Sequence, residues 1–286
     1  MDGFVTALKA ELYVALRSNS TRLVVLLPAI ISSLQLLLVS FRNAGEQARD
    51  AVSNQGFSQD LMEGADAWGA LVDAMSTGLT LIGLILVAYA AWSFAGDKDS
   101  GALRHLLIRR VSRRALVAAK LVNAHIVGIL SVMLMLGVAA LIASVLWDFG
   151  PVVEDGYELI GTQEIHNEIR LGLILALIPL PAAIALGTLI SVSTQNATQA
   201  ITAALGLTLA LDIFKGLMGN FSAYLYVNYQ ASLLNESYLN DVSRLVRGFS
   251  DVLIDPSALQ LNQWAPWPQM LALIIASLII VQYRKL

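Results

Sequence analysis

From Leu23 to Phe41 the chain reads LVVLLPAIISSLQLLLVSF, nineteen residues without a charge. A helix rises ~1.5 Å per residue, so ~20 apolar residues cross ~30 Å of hydrocarbon. Runs of this kind recur. Six spans are expected, at 22–41, 75–95, 118–147, 169–191, 197–219 and 265–283. The chain is 57% hydrophobic and 14% charged, whereas a soluble domain carries about 25% charged residues. The expected fold is an all-α integral membrane protein, one transmembrane domain over residues 1–286. The third run exceeds the bilayer, so its first turns are expected in the interface. The first run follows a basic segment, but it is longer than a signal core and has no small-x-small cleavage site after it. It is read as an uncleaved helix.

Charge placement orients the spans. One face collects Lys9, Arg17, Arg22, Lys98, Arg104, Arg109, Arg110, Arg113, Arg114, Lys120, Arg284 and Lys285, against Asp2, Glu11, Asp97 and Asp99. The other face, loops 42–74, 148–170 and 220–264, holds 16 acids and only Arg42, Arg49, Arg170, Arg244 and Arg247 as bases. The positive-inside rule puts the basic face and both termini in the cytoplasm.

Smaller features fit this layout. Phe4, Leu8, Leu12 and Leu16 repeat every four residues within 1–20, the pattern of an amphipathic interfacial helix or of a helical lead-in to the first span. Leu239, Val242, Val246, Phe249 and Leu253 form a second stripe, suited to the outer leaflet, to a cap on the bundle, or to packing on its own subunit. Trp264, Trp267 and Tyr283 bracket the last span as interface anchors. The turn around Ser193, Gln195 and Asn196 is uncharged and is either a lesser partner contact or a tight connection.

The densest basic segment is FAGDKDSGALRHLLIRRVSRRALVAAK, Phe94 to Lys120, with seven Lys/Arg in 27 residues. Gly101 can end the second span. Leu103, Leu106, Leu107 and Val111 then recur at helical spacing, with Arg104, Arg109 and Arg113 off that stripe. The pairs Arg109–Arg113 and Arg110–Arg114 are like charges at i,i+4, which weaken a lone helix. Such an element suits a partner with an apolar groove and an acidic rim.

This segment resembles the region after the second helix of ABC-2 type permeases, the membrane subunits of one class of ABC transporter. Their pattern is an acidic residue, a Gly-small pair four residues on, a Leu-rich turn, Pro-x-Ser-Arg, and a basic residue opening the next helix. Here stand Asp97, Gly101-Ala102, Leu103, Leu106-Leu107, Arg110-Val111-Ser112-Arg113 and Lys120. Ala102 replaces the usual Thr and Arg110 the usual Pro. The layout of six spans, inward termini, interfacial helix and long last outer loop is similar as well.

The resemblance implies that loop 96–117 couples to a cytoplasmic ABC ATPase, through Asp97, Gly101, Arg104, Leu107, Arg109, Arg110, Ser112, Arg113 and Arg114. It implies an exporter of the bacterial plasma membrane, working by alternating access or lateral extrusion. Two permeases, as homodimer or heterodimer, would meet two ATPases. ATP and Mg would lie on the partner, since no G-x-x-x-x-G-K-[ST] occurs. Membrane lipid is an expected partner; nucleic acid is not.

Other chemistry finds little support. There is no cysteine and no H-E-x-x-H, and His105, His125 and His166 lack partners at metal-ligand spacing. Glu154, Asp155, Glu158, Glu164 and Glu168 read as a solvated acidic face or a weak cation site. Asp212 and Lys215 are opposite charges inside the fifth span, either lining a translocation path or subunit seam, or compensating each other, with Lys215 able to snorkel outward. Pro179 and Pro181, followed by Ala182, Ala183 and Gly187, mark a hinge or a fixed kink in the fourth span. Two rival functions remain: an ion-coupled secondary transporter using Asp212, and a non-transporting scaffold that recruits a cytoplasmic protein.

Overall fold

The computed structural model describes residues 3–53, 63–102, 111–154, 157–232, 237–249 and 256–283. The helices are α1 (Phe4–Arg17), α2 (Asn19–Ser53), α3 (Glu63–Asp99), α4 (Arg113–Leu146), α5 (Thr162–Leu177), α6 (Leu180–Ser193), α7 (Ala197–Phe214), α8 (Tyr238–Leu245), α9 (Pro256–Trp264) and α10 (Pro266–Tyr283). Six stretches are long and apolar enough to cross a membrane, and they coincide in order with the six expected spans. The fourth span is α5 with α6, the fifth is α7 running into a 3-10 segment (Lys215–Tyr224), and the sixth is α9 with α10. The chain is an all-α integral membrane protein. "Basic end" and "acidic end" below name the two ends by their charge.

The boundaries differ from expectation in an informative way. Helices continue past the apolar runs, so residues 42–53 and 63–74 of the first acidic-end loop are helical. An Arg42–Glu46 ion pair of 2.9 Å at i,i+4 supports that overhang. Loop 96–117 is likewise trimmed from both sides, by α3 up to Asp99 and by α4 from Arg113. A short antiparallel hairpin, β1 (Val152–Glu154) with β2 (Tyr157–Ile160), sits at the acidic end and holds the only strands among the described residues. Strand pairing there satisfies backbone groups in the connection between α4 and α5.

α3 is the axis of the bundle, 67% of its span window being buried. Its small residues explain this, because helices in lipid associate by close packing rather than by the hydrophobic effect. Side chains from different neighbours sit on its glycines: Arg247 on Gly69, Ser32 and Met135 on Gly78, Gln230 on Gly83. Ser32 donates from Oγ to the Ala74 carbonyl at 2.9 Å, joining α2 to α3. The approach to α6 is backbone to backbone: a Cβ at Gly187 would lie 2.5 Å from the Val87 carbonyl oxygen and 2.9 Å from the Ala90 Cβ.

At the acidic end α8 lies on the bundle. Leu239, Val242 and Val246 are buried, so this stripe packs on its own subunit and not on a leaflet; Phe249 is exposed and Leu253 lies outside the described residues. Arg247 reaches Asp73 of α3 at 2.7 Å, Ser243 donates to the same carboxylate at 2.5 Å, and the Tyr238 hydroxyl donates to Glu168 of α5 at 2.8 Å. Burial and the Glu168 carboxylate hold the Tyr238 phenol well above its ordinary pKa. Trp68 donates to the Gly150 carbonyl at 2.8 Å and meets the rings of Phe149 and His166 edge-on.

The α3–α6 contact generates a test. Gly187→Ala should destabilise the protein by about 1–3 kcal/mol, as overpacking does. Gly137→Ala, on α4 with nothing within 4 Å of the added methyl, should be neutral or slightly stabilising. Thermal unfolding of both purified variants in one detergent compares them.

Candidate functional site

The site forms where α1, α3 and α4 meet at the basic end. α1 is a separate helix because Ser18 adopts an extended conformation (φ −76°, ψ 130°) before α2 begins. Its protein-facing side is Phe4, Ala7, Leu8, Glu11, Leu12 and Ala15, whereas Leu16 is 76% exposed. The fourfold repeat overshoots a 3.6-residue helix by about 40° per step, so it drifts off the contact face by its last member. Glu11 lies in the middle of that face.

Opposite it is Lys120, 4% exposed. Its ammonium lies 2.9 Å from Glu11 Oε1 and 2.5 Å from Asp97 Oδ2. Asp97 is in the last turn of α3 and Lys120 is in the second turn of α4. Two carboxylates from two helices thus close on one buried ammonium from a third. Burial holds the Glu11 carboxyl above the usual carboxylate range; the Lys120 charge and hydrogen bond pull it down, and Asp97 pushes it up.

An apolar cluster surrounds the ions: Ala7, Phe94, Leu116, Val117, Val192 and Val281 are all nearly inaccessible. It brings in the basic ends of α6 and α10. Ser191 of α6 accepts from the Phe94 and Ala95 amides at 3.1 and 3.0 Å. One turn deeper, Tyr89 of α3 accepts from the Asn123 amide of α4 at 3.1 Å and lies 3.3 Å from the Thr21 hydroxyl of α2. All six spans except the fifth therefore have a side chain in this hub.

Of the other residues expected to couple, Gly101, Ser112, Arg113 and Arg114 are described. α3 ends at Asp99, and Gly101 takes φ +74°, a left-handed turn that favours glycine. Ser112 caps α4, its hydroxyl accepting from the Ala115 amide at 3.2 Å. Arg113 is half-buried and Arg114 exposed. Arg104, Leu107, Arg109 and Arg110 lie outside the described residues, as does His105. Sequence reasoning did not find Glu11 or the inward turn of Lys120; a lone acid on an apolar helix face, and a lysine inside a hydrophobic run, were the available signals.

The model of the family described as ABC-2 family transporter protein matches residues 5–284. The chain belongs to this family. Among curated proteins no significant match was found. The family makes the chain a membrane permease of an ABC transporter, and the resemblance at residues 94–120 falls inside that match.

Elsewhere in the permease, Asp212 and Lys215 form an ion pair of 2.9 Å, with Ser232 donating to the other carboxylate oxygen. Both are buried, at 8% and 7% exposure, so Lys215 does not snorkel outward. Its carboxylate partner is within reach one turn away, and the backbone changes there from α to 3-10. Asp212 borders a cavity of about 20 Å³ with Thr80, Thr208 and Gln230.

Pro179 interrupts the fourth span between α5 and α6, and Pro181 lies in the first turn of α6. Pro179 lacks the N–H that would meet the Leu175 carbonyl. Asn262, a buried residue of α9, donates its side-chain amide to that carbonyl at 3.3 Å. The short turn at Ser193–Asn196 is closed locally: Asn196 caps α7 by accepting from the Gln199 amide at 2.9 Å.

Two tests follow from the site. Lys120→Met strands two carboxylates, and breaking a buried pair costs about 3–5 kcal/mol. Without Lys120 nothing opposes the burial that already raises the Glu11 carboxyl, so the folded form binds a proton more tightly there and stability should recover as the pH falls. Glu11→Gln removes a charge that burial already disfavours and should cost less; unfolding curves at a series of pH values give the order. Asn262→Ala should cost about 1–3 kcal/mol by orphaning the Leu175 carbonyl. Combined with Pro179→Ala, which restores the missing N–H, the loss should be smaller than in Asn262→Ala alone, as a double-mutant cycle would read.

Proposed function

We propose that this permease is the membrane subunit of an ABC exporter in a bacterial plasma membrane, driven by ATP hydrolysed on a separate cytoplasmic ATPase. The segment Asp97–Arg114 is the handle through which the ATPase acts. The observation that carries this reading is the buried cluster of Lys120, Asp97 and Glu11. Asp97 opens the basic segment and Lys120 follows it by six residues after Arg114. Because both are fixed to each other and to α1, a displacement of the segment is not absorbed locally. It is passed to α1, α3 and α4, and through Phe94, Val192 and Val281 to α6 and α10.

The charge asymmetry supports a cytoplasmic basic end, which is where an ATPase would be. Arg114, exposed beside the capped start of α4, offers charge to an acidic partner. Two permeases, identical or related, would pair with two ATPases. The proline-interrupted fourth span is where the bundle flexes. Asp212 and Lys215 lie beside a path or seam near the acidic end. An ion-coupled mechanism is the weaker reading, because Lys215 already neutralises the one intramembrane carboxylate it would use.

The combined reversal Arg109→Glu, Arg110→Glu and Arg113→Glu tests the handle. It should abolish co-purification of the ATPase encoded with this permease while leaving the amount inserted in the membrane unchanged. Undiminished co-purification overturns the assignment. Flux into inverted vesicles that stops on ATP depletion supports ATP coupling; flux that survives depletion and collapses with the proton gradient refutes it.

A further inference from the structure

α3, α4 and α6 enclose a space that coupling does not use. α4 and α6 each pack along α3 but touch one another little, and a cavity of about 360 Å³ lies between them. Its floor is Leu86, Gly128 and Ile184, all buried. Its mouth opens sideways past Ile129 and Met133, which are 60% and 66% exposed. Those residues lie within the third membrane span, so the surface they belong to meets lipid rather than water. His125 is the one polar residue in the lining. Its Nδ1–H donates to the Leu121 carbonyl at 2.7 Å, which leaves Nε2 as the ring's remaining polar atom.

The depth of this cavity follows from the helix register. Trp147 caps α4 at the acidic end, and tryptophan marks the membrane interface. Counting back ~20 residues, or ~30 Å of rise, reaches the neighbourhood of residue 127. His125 therefore lies at the hydrocarbon boundary of the opposite leaflet, the one at the basic end. The apolar lining from Gly128 to Leu136 runs from there toward the bilayer centre. A polar group at headgroup level with a greasy slot beneath it has the profile of a lipid.

We propose that this cavity binds one acyl chain of a membrane phospholipid from the leaflet at the basic end, with His125 at the level of its glycerol backbone. Apolar cavities exclude water, and a void forfeits the dispersion contacts of its walls. The mouth is continuous with fluid lipid tails, which supply what the walls lack. Pro181 belongs to the wall, so the bound chain touches the interrupted turn of the fourth span. Gly128 sets the depth of the slot: a Cβ there would already be 3.0 Å from Leu86 and 3.7 Å from Ile184, so a longer side chain must grow into the cavity.

The full-length permease in nanodiscs of phosphatidylcholine carrying a mid-chain diazirine tests this. After irradiation, adducts mapped by mass spectrometry should concentrate on Val132, Met133, Leu180 and Ile184. They should exceed, several-fold, those on Leu141 and Ile279, which are exposed apolar residues away from the cavity. Gly128→Leu and Ile184→Phe, made separately, should each lower the cavity adducts and leave Leu141 and Ile279 labelled as before. Uniform labelling of cavity and reference residues, or cavity adducts unchanged in both variants, overturns the proposal. So does disulfide-linked dimer from Ile129→Cys in this otherwise cysteine-free chain, since a second copy would then occupy the mouth.

Discussion

The bundle depends on how closely other helices approach α3. In lipid there is no hydrophobic gain from pressing two apolar helices together, so contact area and hydrogen bonds have to hold them. Glycine and alanine along α3 supply the area. Gly78 lets Ser32 and Met135 in, Gly83 receives Gln230, and Gly187 brings α6 against the Val87 carbonyl. Two of the features described above depend on α3: the ion cluster hangs from its end, and the apolar slot exists because α4 and α6 both hold to α3 far more than to each other.

Two buried ion pairs sit toward opposite ends of this frame and differ in kind. Asp212 and Lys215 are one turn apart on a single helix and compensate each other locally. Such a pair fixes little beyond its own turn. Lys120 instead draws carboxylates from two other helices. A buried pair contributes little net stability against an apolar replacement, but a three-helix cluster fixes relative positions, which is what a force-bearing junction requires.

Much of the layout was legible in the sequence. Apolar runs mark spans because lipid leaves backbone polar groups no partner but the helix itself, and charge asymmetry orders the two ends. The ends of the helices were not legible, since a helix such as α2 continues into water on i,i+4 pairs like Arg42–Glu46 after its apolar run has stopped. Asp97, Gly101, Ser112 and Lys120 could be singled out by motif, but the ion cluster could not, because its third member, Glu11, lies over 80 residues from Asp97 in the chain. The hairpin at Val152–Ile160 escaped notice because seven strand residues are too few for alternation to stand out. The slot between α4 and α6 had no sequence signature at all; it is a property of how three helices diverge.

The hydrogen bond from Asn262 to the Leu175 carbonyl has a consequence for biogenesis. Ribosomes make the chain from its first residue onward, so the fourth span enters the bilayer while Asn262 is still unsynthesised. Until α9 emerges, the acceptor left bare by Pro179 must be served by water or by the insertion machinery. Completion of the fourth helix is thereby deferred to the arrival of the sixth, and a ribosome stalled before codon 262 would leave a membrane intermediate with an open wound in its middle.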